Sequence, residues 1–344
     1  LIYMKFYYVR LILTNILSLF SNKIILYFTK IPKFRTISKL LSTRNNLFVK
    51  EVPKHGTILK YNFINPINII ELNYTQNANI NFCRIKNFAG LNVVLLAHWD
   101  PQGIVDSYVL YYAKHLKEIG YSIILCSANN VFIDDRITDI FDAVIYRKTP
   151  GYDFSSWKAA FDSLPTLFDV KQLILTNDSV FGPIGSLDNI FNAMKPIICD
   201  FWGIIESLTL RPYLQSYFIL LFHNVIKSKA FRMFLNSIGS SGDREVAVSY
   251  EEILSQWLIC NNLIGAARFP ASIFNKNAVD PVYHASELIQ TKQFPFLKRR
   301  MIFNNPYAII LNNLSSLLKE NEYPIQLITD YSKRLHLNLS VKLE

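Results

Sequence analysis

The sequence predicts an α/β protein built on a mostly parallel sheet, with an N-terminal amphipathic helix and a C-terminal helical segment as appendages. Two observations carry that expectation. Between residues 91 and 179 four apolar runs, "NVVLLAHWD", "YSIILCSAN", "FDAVIYRK" and "QLILTNDS", each end on polar residues, as strands buried on both faces do. Turn signals and helix-spaced apolar residues separate them, and strands alternating with helices build parallel sheets.

Taken in order, residues 1–50 form the first segment. They carry nine Lys or Arg and no acidic residue, which leaves 27 of the 36 basic residues against all 26 acidic ones. The formal charge of +10 therefore belongs to this segment and not to the whole chain. Its longest uncharged run, Leu11 to Asn22, falls short of the roughly 20 residues a spanning helix needs. Arg10, Thr14, Ser18, Ser21 and Asn22 share one helical face, and Ile12, Leu13, Ile16, Leu17 and Phe20 share the other. An amphipathic helix with basic flanks suits an anionic membrane surface. Packing of that helix on the core is the alternative. Aliphatic residues among the charges argue against a nucleic-acid arm, and the missing cleavage site argues against a signal peptide.

Residues 51–90, rich in Asn and Ile, read as a connector with short strands. A main domain follows over 91–275. After "NVVLLAHWD" the turn "PQG" leads to Val105, Tyr108, Val109, Tyr112, Leu116 and Ile119 at helical spacing. "GYDFSSWKAAFDSL" opens on a turn and continues as a helix, and "SSGDREVAVSYEEILSQWL" does the same. Residues 276–344 are expected as a helical extension packed on this domain. All four tryptophans lie between residues 99 and 257, which marks that stretch as the best packed. At 51% hydrophobic and 14% aromatic residues, general disorder is excluded. Four scattered cysteines show no metal-ligand spacing and read as free thiols, as in a reducing compartment.

Ligands of such sheets bind at the carboxyl ends of the strands. There the sequence places Asp100, Ser127, Asn129, Arg147 and the triplet Asn177-Asp178-Ser179. A carboxylate among small oxygen-bearing side chains suits a hard cation such as Mg²⁺ or Mn²⁺ that shares its shell with phosphate. A turn whose Asp178 caps the next helix is the competing reading, and "SLDNI" supports a helix start nearby. His98 is either a phosphate or base contact or a packed strand-end residue. Lys298, Arg299 and Arg300 form a basic trio, suited to a diphosphate, a lipid-linked acceptor or a solvated helix start.

Six segments in one order carry a resemblance: "AHWDPQGIVDSYVLYYAKHLKEIGY", "GYDFSSWKAAF", "LILTNDSVFGP", "DFWG", "LQSYFILLFHNVIKSKAF" and "FPFLKRRMIFNNP". Together, over about residues 91–306, they resemble the rhamnan synthesis F family, bacterial glycosyltransferases of rhamnose-containing surface polysaccharides. The resemblance implies a GT-A-like nucleotide-binding fold and a nucleotide-sugar donor, dTDP-L-rhamnose foremost. It implies a lipid-linked glycan acceptor at the cytoplasmic face of the inner membrane, with no nucleic acid involved. Asp178 would then be the principal Mg²⁺ or Mn²⁺ ligand and take part in catalysis, flanked by Asn177 and Ser179. Asp100 would lie near the nucleotide. Gly151, Tyr152 and Asp153 would shape the donor pocket, and Lys158 would face phosphate. One departure is Thr149, which stands where the family tends to have Asn, so the donor preference stays open.

An inverting transfer needs a carboxylate base for the acceptor hydroxyl, whereas a retaining one does not. Glu245, whose "EVAVS" context is similar to a family stretch, is the candidate; Asp243 or Glu245 as a helix cap is the alternative. Trp202 offers a stacking face and Gln215 a hydrogen bond to an acceptor sugar, or else both are core residues. Two other functions remain open on the sequence alone: transfer from a different donor, and a catalytically silent glycan-binding or scaffold protein.

Overall fold

The four apolar runs become the middle of one ten-stranded sheet in a computed structural model of the chain. The structure describes residues 52–343 apart from 62–66, 209–211, 275–280, 292, 306–310, 312 and 341–342, so the expected amphipathic helix in residues 1–50 lies outside the described residues. The strands are β1 (Thr57–Ile58), β2 (Ala78–Cys83), β3 (Asn92–His98), β4 (Ser122–Ser127), β5 (Ala143–Arg147), β6 (Gln172–Asn177), β7 (Val180–Phe181), β8 (Phe201–Ser207), β9 (Tyr213–Leu214), β10 (Phe218–Phe222), β11 (Gly265–Phe269) and β12 (Leu297–Lys298). Across the large sheet the order is β1-β11-β8-β10-β6-β3-β4-β5-β2, with β9 added to β8.

The core of the sheet, β5-β4-β3-β6, is parallel, as are β8 and β11. β10 runs antiparallel to both β6 and β8 because the link from β8 is too short for a crossover. The short strands expected in residues 51–90 are β1 and β2, which close the two edges by antiparallel pairing with β11 and β5. This is a mixed α/β architecture of the GT-A-like kind.

Why the central runs are apolar throughout is visible in β3. Val94 and Leu96 enter one hydrophobic cluster, and Val93, Leu95 and Ala97 enter the other. Both faces are covered, so no position needs a polar residue until the strand ends. On the first face lie α1 (Ser107–Glu118), whose Tyr108, Val109, Tyr112 and Leu116 point inward, and α2 (Asp135–Ile140). On the second lies α3 (Asp153–Ser163), through Phe154, Trp157, Ala160 and Phe161. Trp157 also donates its indole N–H to the Thr176 carbonyl at 3.2 Å, which ties α3 to the end of β6.

Further along, α4 (Leu187–Met194) joins the first face. The second face receives α5 (His223–Lys227), α6 (Lys229–Asn236) and the long α7 (Arg244–Cys260). The C-terminal elements α8 (Ala285–Gln290), α9 (Arg299–Phe303), α10 (Leu314–Glu320) and α11 (Gln326–Arg334) supply buried residues to the first face. They belong to the same compact unit as the sheet. β12 does not join the sheet but pairs with β7 as a separate two-stranded ribbon.

Candidate active site

Because β3, β4, β5 and β6 are parallel, their carboxyl ends share one edge. Past His98 the chain turns through Trp99 and Asp100. Asp100 Oδ1 accepts the N–H groups of Gln102 (2.9 Å) and Ile104 (3.0 Å), a side-chain turn that fixes the loop. Gly103 is required there: its φ is +70°, and a Cβ would lie 2.3 Å from the Asn130 carbonyl oxygen. His98 is the packed strand-end residue, held between Ser127 Oγ and the Ile104 carbonyl, both at 3.1 Å, and burial pushes its pKa down.

At the end of β6, Asn177 Oδ1 accepts from the Ser179 N–H (3.1 Å) and hydroxyl (2.6 Å), while its Nδ2 donates to Asp153 Oδ2 at 2.7 Å. Asp178 Oδ2 accepts the Trp99 N–H at 3.1 Å. Trp99, Asp153, Asn177, Asp178 and Ser179 thus meet at one strand edge. The capped-turn reading does not hold, since Ser186 caps α4 by accepting the Asp188 N–H at 3.1 Å. Asp178 is held by other partners.

Those partners come from far along the chain. In the ribbon, Lys298 stands opposite Val180, and the Arg299 N–H bonds the Ser179 carbonyl at 2.9 Å. That register carries two basic side chains to the Asn-Asp-Ser turn. Arg299 Nη2 meets Asp178 Oδ1 at 3.3 Å, and its Nη1 donates to the hydroxyls of Tyr108 (2.6 Å) and Tyr331 (2.9 Å). The Tyr108 hydroxyl in turn donates to the Asp178 carbonyl at 2.9 Å. Burial works against the charge on Arg299, but Asp178 and the two tyrosines outweigh it and raise its pKa. The Lys298 ammonium lies 3.4 Å from Ser179 Oγ and 4.5 Å from the Tyr217 ring centroid. Lys298 and Arg299 do begin α9, as the cap and first residue of that helix, but their side chains meet Ser179 and Asp178.

The remaining candidates divide. Gly151 leads into α3, and a Cβ there would sit 2.3 Å from Ser155 Oγ. Arg147, buried at the end of β5, holds this loop by donating to the Gly151 carbonyl at 2.9 Å. Tyr152 is exposed and borders a small pocket with Ser155, Gly239, Val246 and Tyr250. Burial, with Asp178 adding its charge, pushes the Asp153 carboxyl up to about 7. Lys158 is not brought to this edge: it sits buried and pairs with Asp162 one turn along α3, at 3.0 Å. Trp202 is 3% exposed and packs between Phe191 and Phe218, so it has no open face for a sugar. Gln215 is buried too, its N–H bonded to the Ile205 carbonyl at 3.1 Å. Asp243 is the cap of α7, accepting the Glu245 N–H at 2.8 Å, and Glu245 lies half-buried in the first turn.

Four residues at the site were not singled out for it by the sequence pattern or were left among alternatives. Trp99 is 58% exposed, the reverse of the packed tryptophan expected there, and its backbone N–H bonds Asp178. Glu251, on α7, accepts the Ser216 N–H and hydroxyl at 2.7 Å each, and its charge is among those that raise Asp153. Lys298 and Arg299 complete the group. A basic pair following an apolar-proline run was the only signal for them.

The rhamnan synthesis protein F model matches residues 123–341, well over half of the sequence. The chain belongs to the rhamnan synthesis protein F family. A search of curated proteins finds no match. Membership carries the general activity, sugar transfer in polysaccharide synthesis. The matched range runs beyond residue 306, where the resemblance was expected to fade, and takes in α10 and α11 with Tyr331 and Arg334. The C-terminal helices thus lie within the range that the family model matches, and α11 reaches the strand edge. Arg334 pairs with both Asp100 and Asp106, Nε to Asp106 Oδ1 at 2.8 Å.

The side chains fit a resident divalent cation poorly. Mg²⁺ and Mn²⁺ need several open oxygen donors. Asp178 gives one oxygen to a guanidinium and the other to a backbone N–H, and Asn177 Oδ1 is engaged by Ser179. Among the described residues no three His, Cys, Asp or Glu side chains converge as a ligand set. A unit charge about 4 Å from another interacts by about 4 kcal/mol at an effective dielectric near 20, and a divalent ion beside Arg299 would feel twice that as repulsion.

Proposed function

We propose that this family member transfers L-rhamnose from dTDP-L-rhamnose to a lipid-linked surface polysaccharide, such as an O-antigen or a rhamnan. The observation that carries this reading is the convergence of Asn177-Asp178-Ser179 with Lys298 and Arg299 at the carboxyl edge of a parallel sheet. That is where open α/β sheets bind nucleotides. Trp99, tied to that turn by its backbone N–H and exposed, is the proposed stacking partner for the base. In the transfer, the acceptor oxygen bonds the anomeric carbon while the bond to the diphosphate breaks. The leaving electron pair stays on the diphosphate, where positive side chains stabilise it, and the acceptor proton goes to a carboxylate. An assay of the full chain with dTDP-rhamnose and with UDP-sugars tests the donor. Product from a UDP-sugar alone would move the reading to a different donor, and none from any would favour a silent glycan-binding protein.

For an inverting course α7 supplies the base. Glu245 is the choice from sequence pattern, but Glu251 is the better held: Ser216 orients it, and its charge bears on Asp153. Glu251→Gln is expected to lower kcat by 100-fold or more, within the range general base catalysis supplies, and Glu245→Gln by less than 10-fold. The reverse ranking returns the role to Glu245, and unchanged rates in both variants speak for a retaining course.

Among the described residues no helix is long and apolar enough to cross a membrane. The lipid-linked acceptor calls for a surface contact, and the basic residues 1–50 are the proposed means, at the cytoplasmic leaflet. Deleting them should abolish flotation with anionic liposomes. Undiminished flotation would rule the segment out as the contact.

A further inference from the structure

Asp178 was expected to meet the donor diphosphate through a metal, yet the structure puts a guanidinium against its Oδ1 and a backbone N–H on its Oδ2. We infer that Lys298 and Arg299 take the place of the cation: they neutralise the donor diphosphate directly, and Asp178 anchors Arg299 instead of binding a metal. The inference rests on the reading of this edge as the donor site.

Three features support it. First, the basic pair is built in by backbone pairing. Leu297 and Lys298 stand opposite Phe181 and Val180, and the Arg299 N–H closes on the Ser179 carbonyl at 2.9 Å. Side chains fixed in this way lose little freedom when an anion arrives. Second, Arg299 is preorganised on three sides by Asp178, Tyr108 and Tyr331. A guanidinium has five N–H donors in a planar fork, and these three contacts leave two of them for phosphate oxygens. Third, the Lys298 ammonium stands beside Ser179 Oγ, on the same turn, with the exposed Trp99 joined to that turn through Asp178. Base, ribose and diphosphate then run from the exposed Trp99 to the pair of cations. Lysine serves here as a point charge and arginine as a fork.

Calorimetric titration of dTDP and of UDP into the full chain tests this, each in excess EDTA and in excess Mn²⁺. The proteins are wild type, Lys298→Met and Asp178→Asn, with thermal melts to confirm that each variant is folded. The expected result is a dissociation constant that differs by less than twofold between EDTA and Mn²⁺. Lys298→Met should weaken binding at least 10-fold in EDTA. Asp178→Asn removes a negative charge beside the diphosphate but also one of the contacts that hold Arg299; the two effects oppose, so its binding should stay within about threefold of wild type, in EDTA and in Mn²⁺ alike. Binding that requires Mn²⁺ and is lost in Asp178→Asn would overturn the inference and leave the donor site where it is. Absence of nucleotide binding in every condition would overturn the donor-site reading itself.

Discussion

Arg334→Met is expected to destabilise the protein by about 3 kcal/mol at pH 7, the low end of what removing one partner of a buried ion pair costs. Arg334 is the counter-charge for two carboxylates at once, Asp100 and Asp106. Burial alone would raise the Asp100 pKa, but the Arg334 guanidinium and the N–H groups of Ile104 and Gln102 outweigh it and hold it below the usual range. Asp106 goes the other way, raised because its burial exceeds what Arg334 returns. Methionine keeps most of the stem's volume and removes the charge, so both carboxylates are left uncompensated. The pH dependence follows from the signs. The depressed Asp100 stabilises the fold above its ordinary pKa, near 4, and that contribution fades as pH falls through its folded value. The raised Asp106 contributes below its ordinary pKa and loses that contribution as pH rises through its folded value. At pH 4 both carboxylates can take protons in the variant, so the gap from wild type should narrow. Urea unfolding at pH 7 and pH 4 measures it. Equal stability at pH 7 would show that the pair holds nothing together.

The second large effect has the opposite sign. Asp153→Asn is expected to stabilise the fold by about 2–4 kcal/mol at pH 8 and by nearly nothing at pH 4, from a pKa raised by about three units at about 1.4 kcal/mol each. Burial and the neighbouring Asp178 charge raise the Asp153 carboxyl to about 7. A raised carboxyl favours the folded state below its ordinary pKa near 4, and that advantage disappears as pH rises through about 7. Asparagine carries no charge to lose and can still accept from Asn177. Melting curves across pH 4 to 8 should therefore diverge as pH rises. Parallel curves would mean that the carboxyl is solvated in the folded protein.

The central strands were legible because burial on both faces leaves a continuous apolar run, and β3 has one. The turn at Asn177 was legible for the same reason: the run ends there in oxygen-bearing side chains. What decides the chemistry of that turn was not, because Arg299 lies 121 residues from Asp178 and only the β7–β12 register joins them. Tryptophan exposure was misread at Trp99 and left open at Trp202. Trp99 sits past the end of its strand and opens to solvent, whereas Trp202 lies within β8 and is packed. Lys158 carried a signal that was passed over. Asp162 follows it by four residues, the spacing at which helix side chains pair. Glu251 carried none, since its partner Ser216 is 35 residues away and its helix is amphipathic without it.

The central claim is that the turn after β6 and the β12 ribbon together hold the donor's diphosphate. Amide hydrogen exchange of the full chain, with and without saturating dTDP, tests it most directly. The account predicts slowed exchange confined to peptides covering residues 98–104, 177–181 and 297–299. Protection that leaves residues 177–181 and 297–299 unchanged while it appears elsewhere would contradict it, and the site would have to move to where the protection is found.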